Sequence, residues 1–430
     1  MIFKPKIKAL VRPDHVARSL SQTVKRKPAR VSAYIEYKNV HPAVEVSLYY
    51  GFVPLASSLS ITKEDRERIR ELGGDEKSEP FSIAPTFEEK SAIFRYYEDK
   101  RLFECAQPIM FCGEFFAGNP LLRKLGGHCI SFEIMGSEKS IAEATLIQTA
   151  FATLGEQGYT DLVLSLNSVG DRESLNRFTR ELGNYYRKNI ALLPPSCKAL
   201  LRKNPLDLLN CDHEKCRALS IEAPQSIGFL GDESRRHFKE VLEFVEELGI
   251  PYRIDHRLLG NRLFSSETLF EIKEVVAEVA GNEAVASQSL CVGARYNNLG
   301  RRLGLKREVP STGMNLALGR TGKELFAPKC IRFKKPSVFF LQLGFCAKLK
   351  SLRVIEILRQ AHISLYQALD RDRLISQISS AENLKIPYSI ILGQREALEN
   401  SVIVRDTVSR AQETVKLENL VEYFRKMKVG

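Results

Sequence analysis

Cys197, Cys211, His213 and Cys216 form a thiol and imidazole set of the kind that holds zinc tetrahedrally. Their spacing is loose, since the last two cysteines enclose four residues rather than two, and no structural metal is expected. Nine cysteines is an odd number, which argues against a disulfide framework and for a reducing compartment. Other signatures of chemistry are missing. The chain has no GxxxxGK[ST] phosphate loop, no GxGxxG after a strand, no HExxH and no GxSxG, so nucleotide-loop, zinc-protease and serine-hydrolase chemistries have no foothold.

The elements that must position any site are strongest in the middle and at the end of the chain. Ile141, Ala144, Ile147, Ala150 and Leu154 recur at helical spacing, Gly158 closes that helix, and Leu162–Leu166 reads as a strand. Asp171 is placed to cap a helix carrying Leu175, Phe178, Leu182 and Tyr185. A further helix from about Ser234 buries Phe238, Val241, Leu242, Val245 and Leu248 and gives way to Ile250–Ile254. Beyond the proline-bracketed stretch 327–336, strands and helices alternate in a compact α/β pattern of about a hundred residues.

Charge divides the 430 residues, whose net charge is +12. Residues 1–30 carry +8, residues 331–430 carry +7, and the three hundred between sum to −3. A basic tail and a basic end around a near-neutral middle point to phosphate-rich partners, nucleic acid first. No apolar run approaches a membrane span, and the opening residues lack a secretory core, although a basic, acid-poor start is also a trait of organelle transit peptides. A cytoplasmic protein is expected.

Several strings, in order, resemble the histidyl-tRNA synthetase family. These are Asn167-Ser-Val-Gly170, Asn204-Pro-Leu-Asp-Leu-Leu-Asn-Cys211, Ala223-Pro224, Ser234-Arg-Arg-His-Phe238 and Gly249-Ile-Pro-Tyr-Arg-Ile-Asp255. In the C-terminal part, Ile391-Leu-Gly-Gln-Arg-Glu-Ala-Leu398 and Val402-Ile-Val-Arg-Asp406 are similar to that family's anticodon-binding domain. The resemblance implies an α+β class II catalytic domain, an antiparallel sheet flanked by helices, followed by a small α/β anticodon-binding domain. The expected boundaries are a basic tail over 1–30, a catalytic domain over 31–326 with a helical insertion at about 171–248, a linker over 327–336 and the C-terminal domain over 337–430. The family activates histidine with ATP and Mg2+ and loads it onto tRNA, as a homodimer.

The family's motifs are kept unevenly. In Gln107–Glu114, Phe111 and Glu114 match the second class motif, whereas Cys112 stands where the α-phosphate arginine is expected. A thiol has neither the charge nor the fork of a guanidinium. Arg123, with Lys124, is the replacement in the loop that follows, so Glu114, Arg123 and the motif 3 residue Arg320 are the expected ATP contacts. In His128–Glu133 the glutamine is Cys129, and Glu133 is kept as a partner for the substrate amine. Thr86 occupies the carboxylate position of an arginine-proline-glutamate turn, with Glu88 and Glu89 close by. In Arg257–Glu271, Gly260 replaces the catalytic arginine and Phe264 and Ser265 replace two tyrosines. Arg262, two positions on, is the shifted catalytic candidate beside Arg320. Arg295 and Tyr296 complete the expected histidine pocket, and Tyr366, Arg371, Arg373, Arg395 and Arg405 are the expected RNA contacts. Two readings stay open, a divergent histidine–tRNA ligase and a non-catalytic tRNA-binding paralogue. A third, a regulator of histidine biosynthesis like the truncated paralogue that acts on ATP phosphoribosyltransferase, would not need an anticodon domain.

Overall fold

The structure is a computed structural model that describes residues 33–56, 59–72, 83–114, 128–275, 289–318, 329–368 and 371–428. The basic tail lies outside them. Strand β1 (Tyr34–Val40), helix α1 (Val44–Tyr49) and strand β2 (Val53–Pro54) open the described chain. Helices α2 (Lys63–Glu71) and α3 (Phe87–Asp99) lead to β3 (Ile109–Gly113), β4 (His128–Met135), helix α4 (Ile141–Glu156) and β5 (Leu162–Gly170). Helices α5 (Arg172–Lys188), α6 (Pro195–Lys203), α7 (Glu214–Ile221) and α8 (Asp232–Glu247) then intervene before β6 (Tyr252–Ile254), β7 (Ser266–Glu274) and β8 (Ser289–Arg295). Helix α9 (Leu299–Arg302) precedes β9 (Ser311–Leu318) and β10 (Lys329–Lys334).

Eight of these strands make one sheet in the order β2-β3-β4-β9-β8-β7-β5-β6, antiparallel throughout its centre and parallel at its two outer pairs. Side chains alternate between its faces. Ile130, Phe132 and Ile134 of β4 point to the side covered by α4 and α8, where they join Phe270, Ile272, Met314 and Leu316 in the main core. Helix α4 is buried on nearly its whole circumference, which its run of small and apolar residues permits. One charged residue on it, Glu143, is fully buried and accepts from Nε and Nη2 of Arg295, each at 2.5 Å, with His237 of α8 at 2.8 Å.

The opposite face is roofed from two directions. The helical insertion packs Phe178, Leu182 and Leu208 over Val169, Leu269 and Ala294. Helix α3, held at its start by a reciprocal capping box between Thr86 and Glu89, packs Phe87, Phe94 and Tyr97 over Phe111, Met135 and Tyr296.

The C-terminal domain has a five-stranded sheet in the order β12-β11-β13-β14-β15, built from β11 (Val338–Gln342), β12 (Leu365–Gln367), β13 (Tyr388–Leu392), β14 (Ser401–Asp406) and β15 (Gln412–Lys416). Helices α10 (Phe345–Gln360), α12 (Gln394–Leu398) and α13 (Leu420–Lys426) cover one face, and α11 (Leu374–Asn383) covers the other. The stretch expected as a linker is mostly strand, because β10 pairs antiparallel with β1 and turns Ile331 and Phe333 inward. Helix α10 docks on the catalytic domain. Tyr50 donates to Glu356, Arg359 pairs with Glu156 at 2.8 Å, and Phe345 meets Phe244 edge-on at 5.8 Å.

Burial alone would raise Glu143, but the charges of Arg295 and His237 overcome it and hold the carboxyl down at about 2. A carboxyl depressed on folding stabilises the native state above its unfolded value near 4.3, and that contribution is lost as pH falls towards 2. In urea titrations, the unfolding free energy of the wild type is expected to exceed that of Glu143→Gln most above about pH 4.5. The gap should narrow towards pH 2, whereas a gap independent of pH would contradict the assignment.

Candidate active site

Strand register sorts the expected site residues by face. Two transverse rows cross the face opposite α4. One runs Ser165, Glu271, Val292, Asn315, Ser131 and Gly113; the other runs Asn167, Leu269, Ala294, Gly313, Glu133 and Phe111. Glu133 is therefore at the centre of the face where the histidine pocket is expected, and its neighbour Gly313 is needed there. A Cβ at Gly313 would collide with the Glu133 carboxylate.

That carboxylate already has partners. Lys90 Nζ lies 2.5 Å from Glu133 Oε1, and the Tyr296 hydroxyl donates to Oε2. All three side chains are buried to within 1% of full enclosure. Lys90 also lies 4.7 Å from the centre of the Tyr296 ring, and Phe264 meets that ring edge-on at 6.0 Å while stacking on Phe87 at 6.2 Å. Burial pushes Glu133 up to about 7 against the pull of the Lys90 ammonium. The space around Glu133 is filled by the protein's own cation, hydroxyl and two aromatic rings.

A second polar chain runs beside it. Ser131 donates to Asn315 at 2.7 Å, and Asn315 donates to Glu89 at 3.2 Å. Burial raises Glu89, while the Thr86 backbone N–H and the Lys90 charge act to lower it. Glu271 and Lys273 pair at 2.9 Å on the same face. Cys129 is half-buried at the near end of β4.

Several expected residues have other partners. Arg295 points to the α4 side and serves Glu143, the Ser137 and Lys139 carbonyls and Asn297 rather than Glu133. The Thr86 hydroxyl accepts from Glu89 N as a helix cap. Arg262 pairs with Asp207 of the insertion at 2.9 Å, with its side chain 40% exposed. Glu114 is exposed and bonded to His128 at 2.8 Å. Arg123, Lys124 and Arg320 lie outside the described residues.

Two apparent losses acquire a physical reason. Cys112 is paired with Phe132 and faces the α4 core beside Ser47, where burial pushes its thiol up to about 12. An arginine side chain at that position would point into the hydrophobic core, where Cys112 sits as a core residue. Gly260 has φ of +63°, and a Cβ there would come within 2.5 Å of Leu269 and 2.7 Å of Ser265. A side chain there would need a strained left-handed backbone and would displace Leu269 and Ser265.

Lys90 and the Glu143–Arg295 pair do not stand out in the residue pattern. Lys90 falls within a run of charges, Glu88-Glu89-Lys90, which reads as solvated surface. The available signal is its phase, since Phe87, Lys90, Phe94 and Tyr97 share one helical stripe.

In the C-terminal domain, four of the five expected RNA contacts lie on the α11 side of the sheet. Tyr366 rests against Phe339 at 5.3 Å with 42% of its surface exposed, Arg371 donates to Ser380 of α11, Arg373 is the residue before that helix, and Arg405 shares a small groove with Ile378 and Glu382. Arg395 is on α12, covering the other face, and pairs with Glu399 at 2.8 Å.

The comparisons with known proteins agree with this architecture. The model of the anticodon binding domain matches residues 345–427. A protein named histidine–tRNA ligase from Dehalococcoides mccartyi is 28% identical over 405 residues, covering 93% of each chain. The chain is thus similar to histidine–tRNA ligases over nearly its whole length, with an anticodon binding domain at its C-terminal end. A histidine–tRNA ligase from Halothermothrix orenii is also 28% identical, over 80% of this chain and 82% of its own. Among solved structures, the apo histidyl-tRNA synthetase of S. aureus aligns over 89% of this chain and 93% of its own, with 22% identity and a TM-score of 0.47. Among the described residues, no helix is long and apolar enough to cross a membrane.

A double-mutant cycle tests the sealed pair. Lys90→Met leaves a buried carboxylate without its counter-charge and is expected to cost roughly 3–5 kcal/mol in urea unfolding. Combining it with Glu133→Gln should recover most of that loss, whereas additive costs would mean the two side chains do not interact.

Proposed function

We propose that this synthetase-family chain is a tRNA-binding protein whose histidine-activating centre has been closed. One observation carries the reading: the carboxylate expected to receive the substrate amine is saturated by Lys90 and Tyr296 in a site sealed from water. A histidine amine would have to displace a covalently tethered ammonium and reopen the packing of Phe87, Phe264 and Tyr296. The backbone at Gly260 adds to this, because adenylate chemistry needs positive charge against the α-phosphate and no side chain can be carried there without strain. The C-terminal module matches the anticodon binding domain over residues 345–427 and is basic, which is what anticodon binding requires and what a regulator acting only on a small-molecule enzyme would not.

The divergent ligase is the second reading. The relatives named histidine–tRNA ligase align along nearly the whole chain, and Arg320 and Arg123 stay available to it as ATP contacts. That reading carries ATP with Mg2+, histidine and a homodimer with it.

Histidine-dependent ATP–pyrophosphate exchange on the purified chain separates the two. No exchange is expected, alongside tRNA binding with a steep salt dependence; exchange with normal histidine dependence would establish the ligase. Arg373→Ala and Arg405→Ala should each weaken tRNA binding and flatten its salt dependence, lowering the slope by about one for the phosphate each guanidinium neutralises. Absence of tRNA binding at moderate salt would reject both readings and favour the regulator.

A further inference from the structure

The helical insertion holds a cluster that the synthetase fold does not use. The sulfur atoms of Cys197, Cys211 and Cys216 all lie within 4.8 Å of one another, and those of Cys197 and Cys211 are 3.6 Å apart. Two thiolates on one tetrahedral zinc, each at about 2.3 Å from the metal, are separated by about 3.8 Å. A disulfide would need about 2.05 Å. The spacing is therefore that of ligands around a shared ion rather than that of a bond.

We propose that Cys197, Cys211 and Cys216 bind a zinc-class soft metal ion, with His213 as the fourth ligand. Cys197 comes from α6, Cys211 follows the turn after α6, and Cys216 lies in the first turn of α7. The ion would thus join segments with little regular structure between them. His213, the exposed residue before α7, caps that helix by accepting from Lys215 N through Nδ1 at 3.3 Å and lies outside the group of three sulfurs, so its ring would turn inward to complete the set. Tyr186 packs beside the thiols. Its side chain lies in the same cluster as Cys197 and Cys216, and its buried hydroxyl has no hydrogen-bond partner among the described residues.

The cluster also answers a local need. The core of the insertion rests on one long helix and two short ones, α6 and α7, of nine and eight residues. Its apolar core includes the two most buried cysteines themselves. A structural metal contributes folding free energy directly in such small units.

The test uses the full-length chain. Elemental analysis after purification without chelator is expected to find one zinc per chain, and cobalt substitution should give the intense visible bands and thiolate charge-transfer absorption of a tetrahedral sulfur-rich site. Strong chelation should expose three further thiols, of the nine present, to a thiol reagent and lower the melting temperature. Cys216→Ser should lose the metal, and His213→Ala should weaken its binding while leaving the fold intact by circular dichroism. Should Cys216→Ser fail to fold, the cobalt spectrum and chelator-dependent thiol count of the wild type decide alone. No metal, no cobalt spectrum and an unchanged thiol count, or a Cys197–Cys211 disulfide in the native protein, would overturn the site. Unchanged affinity in His213→Ala would overturn its place as the fourth ligand.

Discussion

A carboxylate sealed in the middle of a β-sheet has to be neutralised, and in this molecule the neutralising group comes from the neighbouring helix. The Lys90–Glu133 pair fixes the position of α3 over the sheet, and with it Phe87, Phe94 and Tyr97. It also requires a glycine opposite, since any side chain at 313 would occupy the carboxylate's space. Removing either charge alone leaves an uncompensated ion in a low-dielectric interior, which is why such pairs are hard to lose one member at a time. In the proposed reading, this structural interaction is what keeps the pocket closed.

The sheet separates this pair from a second one of similar design. On the α4 side, Arg295 and Glu143 lock β8 to the helix and recruit His237 from α8. Adjacent residues in one strand, Arg295 and Tyr296, consequently serve opposite sides of the sheet. The C-terminal domain attaches through the same layer, since Tyr50 reaches both Gln148 of α4 and Glu356 of α10. The two buried ion pairs, one on each face, are built from the same strands.

Much of this was legible in the residues. The α4 periodicity, the Asp171 cap and the alternation of the last hundred residues all appear in the structure, with Ser174 N donating to Asp171 at 2.8 Å. Boundaries moved by a few residues, as with β5, which continues to Gly170. Strand β15 was not distinguished, because Gln412–Lys416 buries one residue of five. Site residues were harder for a different reason. Matching a motif position does not reveal which face a side chain takes, so Cys112 and Arg295 read as pocket residues although register turns both towards α4. Lys90 was hidden because a buried lysine and a solvated one look alike until the carboxylate it serves is placed above it.

The central claim is that the protein's own Lys90 and Tyr296 occupy the site a histidine would need. Calorimetric titration of histidine into the full-length chain, with and without ATP and Mg2+, tests it most directly. No saturable heat is predicted in either case. Stoichiometric histidine binding that is lost in Glu133→Gln would contradict the claim and favour the ligase reading.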